Sequence, residues 1–151
     1  MLKLQILSHL FCMLFRYVYV SESNPSALSV PIEILEQARR NNPSAGITGA
    51  MCMVNGSYFQ YVEGEAVDID RLSKKLSLDP RHKNFKMLAY ERIPERLFPG
   101  WSMAELIWND LSRSVFKRYY PNGDFEPRTL DAVRGTSLFL AWSQTSNWIT
   151  A

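Results

Sequence analysis

The chain has 151 residues, one domain's length on the usual scale of about 100–200 residues. Apolar residues make up 46% and charged residues 21%, which excludes disorder over most of the chain. Its 17 Lys and Arg against 15 Asp and Glu leave a net charge of +2, so charge alone gives no case for nucleic acid or an anionic membrane as partner. Aromatics reach 13%, enough to line a slot for a flat ring or to fill a core. The two cysteines, Cys12 and Cys52, stand in no zinc spacing, and His9 and His82 are the only histidines, so a His-rich metal site is excluded. No G-x-S-x-G supports a serine hydrolase.

Residues 1–20 are apolar but are interrupted by Lys3, Gln5, Ser8, His9 and Arg16, so no run approaches the roughly 20 residues of a membrane span. The run Leu10–Phe15 is short for the core of an export signal, and no small-x-small cleavage site follows it. Residues 1–12 read as an N-terminal extension, with Met13 as an alternative start, and the expected location is cytoplasmic.

Leu14–Ser21 is aromatic and β-branched, and it predicts a buried first strand. Residues 22–28 form a loop, and Ser29 is placed to cap a helix over about 30–41 with Ile34, Leu35 and Ala38 on one face. Pro43 stops that helix. Ile47–Val54 and Ser57–Val62 are strands joined by Asn55-Gly56, a strong hairpin signal, and Glu63-Gly64 is expected to end the second of them. A helix follows over about 67–78, with Val67, Leu72 and Leu76 near one face and Asp68, Arg71 and Lys75 near another. Phe85–Arg92 is a fourth strand and Trp101–Trp108 a fifth. Two more helices are expected at about 111–120 and 127–142. The order βαββαββ is that of a ferredoxin-like α+β layer, with two helices on one face of a sheet.

Gln60 stands out in the aromatic strand Tyr58–Val62. Alternation puts Tyr58, Gln60 and Val62 on one face and Phe59 and Tyr61 on the other. Gln60 is then either a solvent-facing residue of an edge strand or a buried amide that needs partners. Tyr19, Asn42, Arg81, Trp101 and Met103 each have an ordinary structural reading as well, and none carries a function alone.

Together these residues form a pattern. Arg16-Tyr17-Val18-Tyr19-Val20-Ser21, Arg40-Asn41-Asn42 before Gly46-Ile47-Thr48-Gly49, and Phe59-Gln60-Tyr61-Val62-Glu63-Gly64 follow in order. Asp79-Pro80-Arg81-His82-Lys83-Asn84 and Arg96-Leu97-Phe98-Pro99-Gly100-Trp101-Ser102-Met103 complete it. Over roughly residues 14–105 the chain resembles the BLUF domain, a blue-light sensor module that holds a flavin.

That resemblance implies a non-covalently bound FAD, or FMN or riboflavin, clasped between the first two helices. Ile34 and Leu76 match the aliphatic positions that sandwich the ring. Asn42 matches the side chain that bonds the ring's carbonyl and imide edge, and Arg81 a basic contact on the pyrimidine side. Asn41, Lys75 and His82 lie where they could reach the ring edge, ribityl chain or phosphates. The basic stretch of Arg71, Lys74, Lys75, Arg81, Lys83 and Lys86 suits phosphate and equally suits a solvated face. The resemblance makes Tyr19 the photochemical electron donor and Gln60 the amide that rearranges, with Trp101 and Met103 as relay.

By the same resemblance the sensor domain spans residues 13–108, and residues 109–151 form a helical tail on the other face of the sheet. Phe116, Tyr119, Tyr120, Leu138, Phe139 and Trp142 would make the tail's contact. The stretch after residue 105 is too short for a cyclase or phosphodiesterase domain, so a stand-alone photosensor rather than an enzyme is expected. Its output would pass through a homo-oligomer or a separate signalling protein. Two rival classes remain. One is a flavin-dependent oxidoreductase or an acylphosphatase-shaped hydrolase, for which no Gly-rich loop or paired carboxylates speak. The other is a flavin-free interaction module of the same fold.

Overall fold

The computed structural model describes residues 13–24 and 31–150, apart from the side chains of Pro31 and Ile32. The expectations for residues 1–12 and for the Ser29 cap lie outside the described residues. The elements are β1 (Leu14–Ser23), α1 (Pro31–Asn41), β2 (Thr48–Val54), β3 (Ser57–Glu65), α2 (Ala66–Leu78), β4 (His82–Ile93) and β5 (Ala104–Leu106). After these come α3 (Asp110–Lys117), a short 3-10 turn (Pro127–Thr129), α4 (Ala132–Ser143) and β6 (Trp148–Ile149). The sheet order is β4-β1-β3-β2-β5-β6, so β1 and β3 are central. The α+β class and the ferredoxin-like order of the first four strands are as expected.

Residue alternation sorts the two faces. Val18, Val20, Phe59 and Tyr61 point to one apolar cluster, together with Phe116, Leu138, Phe139 and Trp142 of α3 and α4. Tyr17, Tyr19, Tyr58 and Val62 point to the other, with Ile34 and Leu35 of α1 and Ile69 of α2. The tail therefore covers the face opposite α1 and α2. Of its expected contacts, Tyr120 is only partly buried and Tyr119 is exposed.

The boundaries differ from expectation for physical reasons. Glu63-Gly64 does not end β3, because the fully buried Glu63 carboxylate is satisfied. It accepts from the Leu97 and Phe98 backbone N–H groups, each at 2.7 Å, and from the Thr48 hydroxyl at 2.9 Å. Burial pushes this carboxyl above its usual range and these hydrogen bonds oppose the shift. β4 starts at His82 rather than Phe85, because Glu22 and Ser23 of a longer β1 pair with Lys83 and His82 across a register shift.

In α2 the buried residue is Ile69, not Val67, which is 58% exposed. The expected helix over 127–142 splits, since Asp131 caps a new start at α4 by accepting from the Arg134 N–H at 2.8 Å. α3 ends at Lys117 and opens on an Asn109–Ser112 capping box.

Two glycines are required by geometry. Asn55 and Gly56 have φ of 52° and 73° in the β2–β3 turn. A Cβ on Gly49 would lie 2.2 Å from the Tyr61 carbonyl oxygen, so β2 can approach β3 there only with glycine.

Candidate functional site

α1 and α2 do not close over the sheet between them. They leave a cleft with about 570 Å³ of empty space, counting its opening to solvent. α1 supplies Ile34, Gln37, Ala38 and Asn41, which recur at helical spacing along one face. α2 supplies Leu72, Lys75 and Leu76 opposite them. Tyr19 of β1, Gln60 and Val62 of β3, and Met103 come from the sheet side. Asp79, Arg81 and His82 form the end where α2 turns into β4.

The floor carries buried polar groups. Gln60 is 4% exposed on a central strand, which overturns its reading as a solvent-facing edge residue. Tyr19 is fully buried, and its hydroxyl makes no hydrogen bond of ordinary geometry. Burial holds that phenol well above its usual 10.0; Tyr17 and Asp79 push the same way, and the nearby Gln60 amide opposes them. His82 Nδ1 lies 2.7 Å from the buried Ser21 hydroxyl, while His82 Nε2 is buried without a partner. Desolvation lowers the His82 pKa from its usual 6.5, against the pull of Asp79 and with help from Arg81. The Tyr120 hydroxyl and Thr136 Oγ1 are also unpaired, but neither residue lines the cleft.

A buried polar atom without a partner costs about 1–3 kcal/mol. Two such atoms belong to residues lining one largely apolar cleft, so the cleft suits a ligand that is flat and apolar over its faces and polar at its edge. Among the described residues no cluster could hold a metal ion, and no helix is long and apolar enough to cross a membrane.

The cleft gathers most of the residues singled out in the sequence: Tyr19, Ile34, Asn41, Gln60, Lys75, Leu76, Arg81, His82 and Met103. Asn42 is not among its lining. That side chain is buried at the end of α1 and donates through Nδ2 to the Ser102 carbonyl at 2.6 Å. Arg81 is half committed, with Nε donating to Asp79 Oδ1 at 2.9 Å and Nη2 to Gln37 Oε1 at 2.6 Å. The basic stretch is likewise partly spent, since Arg71 pairs with Asp68 and Lys86 donates to the Arg128 carbonyl.

Trp101 and Met103 lie before β5 rather than in it, and they face opposite sides. Met103 reaches the cleft, whereas Trp101 packs at 5.3 Å on Phe98 and 5.6 Å from Trp148. The bend is held from outside: Gly49 N–H donates to the Trp101 carbonyl at 2.9 Å, and Arg39 Nε to the Met103 carbonyl at 3.0 Å. Gln37, Leu72 and Asp79 were not singled out as site residues. Gln37 and Leu72 stand one helical turn from Ile34 and Leu76, and that spacing was the available signal.

Residues 14–104 match the family described as sensors of blue light using FAD (BLUF). The beta subunit of the photoactivated adenylate cyclase of Euglena longa is 32% identical over 93 residues, 60% of this chain and 11% of that protein. The chain thus spans about a tenth of the length of that curated relative. The solved structure of BlsA in its photo-activated state is 28% identical with a TM-score of 0.80, over 89% of this chain and 98% of that one. A structure of Klebsiella pneumoniae BlrP1 with FMN and cyclic diGMP is 27% identical with a TM-score of 0.58, over 63% of this chain and 26% of that one.

Proposed function

The chain belongs to the BLUF family of blue-light sensors using FAD, and on that premise we propose that it is a photoreceptor holding a flavin non-covalently between α1 and α2. The observation that carries this reading is the convergence of Gln60, the unpaired Tyr19 hydroxyl and the unpaired His82 Nε2 on one apolar cleft. Ile34 and Leu76 would cover the two faces of the ring. Asn41, Arg81, His82 and Lys75 would meet its polar edge and its ribityl and phosphate chain, as FAD or as FMN. Asn42 would act one step away, by tethering Ser102 and so the Met103 segment to α1.

When bound and excited by blue light, the flavin supplies a one-electron oxidant. Tyr19 is the donor, because its buried phenol lies beside Gln60 on the cleft floor. Its proton moves toward Gln60 as the electron leaves, since a positively charged phenol radical cation is not held in an apolar site and deprotonates to the neutral phenoxyl radical. Gln60 carries a donor and an acceptor on one amide, so rotation or tautomerisation rewires the network without moving the backbone. Met103 senses that change in the cleft, and Trp101, two residues away, passes it to Trp148 and the tail face. Output then goes to a separate cytoplasmic signalling protein or through self-association, and the chain acts as a sensor rather than an enzyme.

The test is the absorbance of the purified protein before, during and after blue light. A yellow protein with a red-shifted spectrum that returns in the dark is expected. A colourless protein that takes up no added FAD would leave the flavin-free interaction module.

A further inference from the structure

A row of three tyrosines leads from the cleft to the surface. Tyr19 is fully buried in the cleft floor, Tyr17 is 7% exposed and Tyr90 is 38% exposed. The Tyr19 and Tyr17 ring centroids are 5.6 Å apart, and those of Tyr17 and Tyr90 are 6.1 Å apart. The spacing follows from the sheet, since Tyr17 and Tyr19 share a face of β1 and Tyr90 stands opposite Tyr17 on β4. Phe85 stacks on Tyr19 at 4.8 Å, but a phenyl ring is far harder to oxidise than a phenol. At the outer end the Tyr90 hydroxyl donates to Asp70 Oδ1 at 3.3 Å. Tyr90 is the one member of the row whose hydroxyl is hydrogen-bonded to a carboxylate that can take its proton.

We propose that Tyr19, Tyr17 and Tyr90 form a route that carries an oxidising equivalent from the cleft to the protein surface, where a small thiol or enediol can discharge it. The proposal rests on the reading of Tyr19 as photochemical donor. Tyr19 loses one electron; Tyr17 replaces it, releasing its phenolic proton to solvent at its exposed edge, and regains that proton when Tyr90 replaces the electron. The Tyr19 proton, shifted toward Gln60 when the electron leaves, returns when it is replaced. Tyr90 ends one electron short, with its phenolic proton on Asp70. The reductant then gives Tyr90 one electron, and the proton returns from Asp70. The thiol or enediol is oxidised by one electron and releases one proton to solvent, and the photo-oxidant in the cleft has gained that electron. Light thereby couples the sensor to the surrounding pool of reductant.

Tyr119 provides an internal control. It is 36% exposed against 38% for Tyr90, but its hydroxyl donates to the Ser137 carbonyl on the tail side, and among the described residues no tyrosine row connects it to the cleft. The experiment illuminates the FAD-loaded protein with a reagent that traps tyrosyl radicals and maps the adducts by mass spectrometry. In parallel, flavin-free protein is oxidised from solution by a photogenerated ruthenium(III) polypyridyl complex. Light should label Tyr90 and leave Tyr119 unlabelled, and Tyr17→Phe should lose the Tyr90 adduct while keeping the red shift. The ruthenium oxidant should label both exposed tyrosines in parent and Tyr17→Phe alike, which shows that Tyr90 in the variant still reacts. Equal labelling of Tyr90 and Tyr119 by light would overturn the route. So would a Tyr90 adduct that survives Tyr17→Phe, or no Tyr90 adduct in a protein whose red shift depends on Tyr19. A parent without any Tyr19-dependent red shift would instead refute the photochemical reading, and the route with it.

Discussion

On the tail face of the sheet, Phe59, Phe139 and Trp142 are fully buried, and the Trp142 indole N–H donates to the Ser112 carbonyl at 3.1 Å. On the α1/α2 face, Tyr19 is just as buried, yet the sheet beneath it opens into a cleft and its hydroxyl has no partner. The tail face holds aromatic rings in edge and tilted contact, Phe59–Phe139 at 4.5 Å and Phe139–Trp142 at 5.7 Å, with bulk filling the space. The cleft face gives up that packing and keeps polar groups that a ligand would satisfy. One side of the sheet is thus filled and the other left open, and Glu63, near the end of β3, binds the loop that leads to Trp101 and Met103.

Removing bulk from the filled face should cost most. Trp142→Ala is expected to lower stability by about 3–5 kcal/mol in urea unfolding while leaving the flavin spectrum of the folded fraction unchanged. A red shift lost in that folded fraction would mean that the two faces are not separable. Glu63→Ala comes next: it leaves the Leu97 and Phe98 N–H groups without their carboxylate, at a cost of about 1–3 kcal/mol. It should also raise amide exchange across residues 96–103, and unchanged exchange there would show that Glu63 does not hold the loop.

On the cleft face a smaller effect of opposite sign is expected. Tyr19→Phe deletes a hydroxyl that has no partner, so ligand-free protein should melt at the same temperature or be stabilised by up to about 1 kcal/mol. A marked loss of stability would show that the hydroxyl is satisfied in solution. The smallest effect is on pH dependence. His82 is held neutral below its usual 6.5, so between that value and its lower folded value the unfolded chain binds more protons. Its contribution is full above 6.5 and is lost as pH falls toward the folded value. The ligand-free melting temperature should fall on acidification through that window, and His82→Gln should flatten the slope. An unaltered slope in the variant would assign the acid sensitivity elsewhere.

Much of this was legible because it depends on short-range pattern. Alternation along Tyr58–Val62 sorted Gln60 from Phe59 and Tyr61 without any tertiary information, and Asn55-Gly56 fixed the hairpin. What alternation could not say was that β3 is central, since that depends on β1 and β2 pairing on both of its sides. Trp101 and Met103 were misplaced on a strand because hydrogen bonds from distant residues, Arg39 and Gly49, bend the segment and send the two side chains to opposite faces. Asn42 was singled out by the family resemblance; its Nδ2 donates to a carbonyl 60 positions away, a contact no local pattern announces, and its neighbour Asn41 lines the cleft. Gln37 carries no distinguishing pattern in the sequence, and only the position of Arg81 beside it shows its place at the rim.

The central claim is that the cleft face senses light through the Gln60 amide. Its most direct test is the light-minus-dark absorbance spectrum of FAD-loaded Gln60→Leu beside that of the parent. Leucine keeps the size of the side chain and removes both ends of the amide, so the variant should bind flavin and show no red shift while the parent shifts and recovers in the dark. A Gln60→Leu protein that shifts and recovers like the parent would contradict the account.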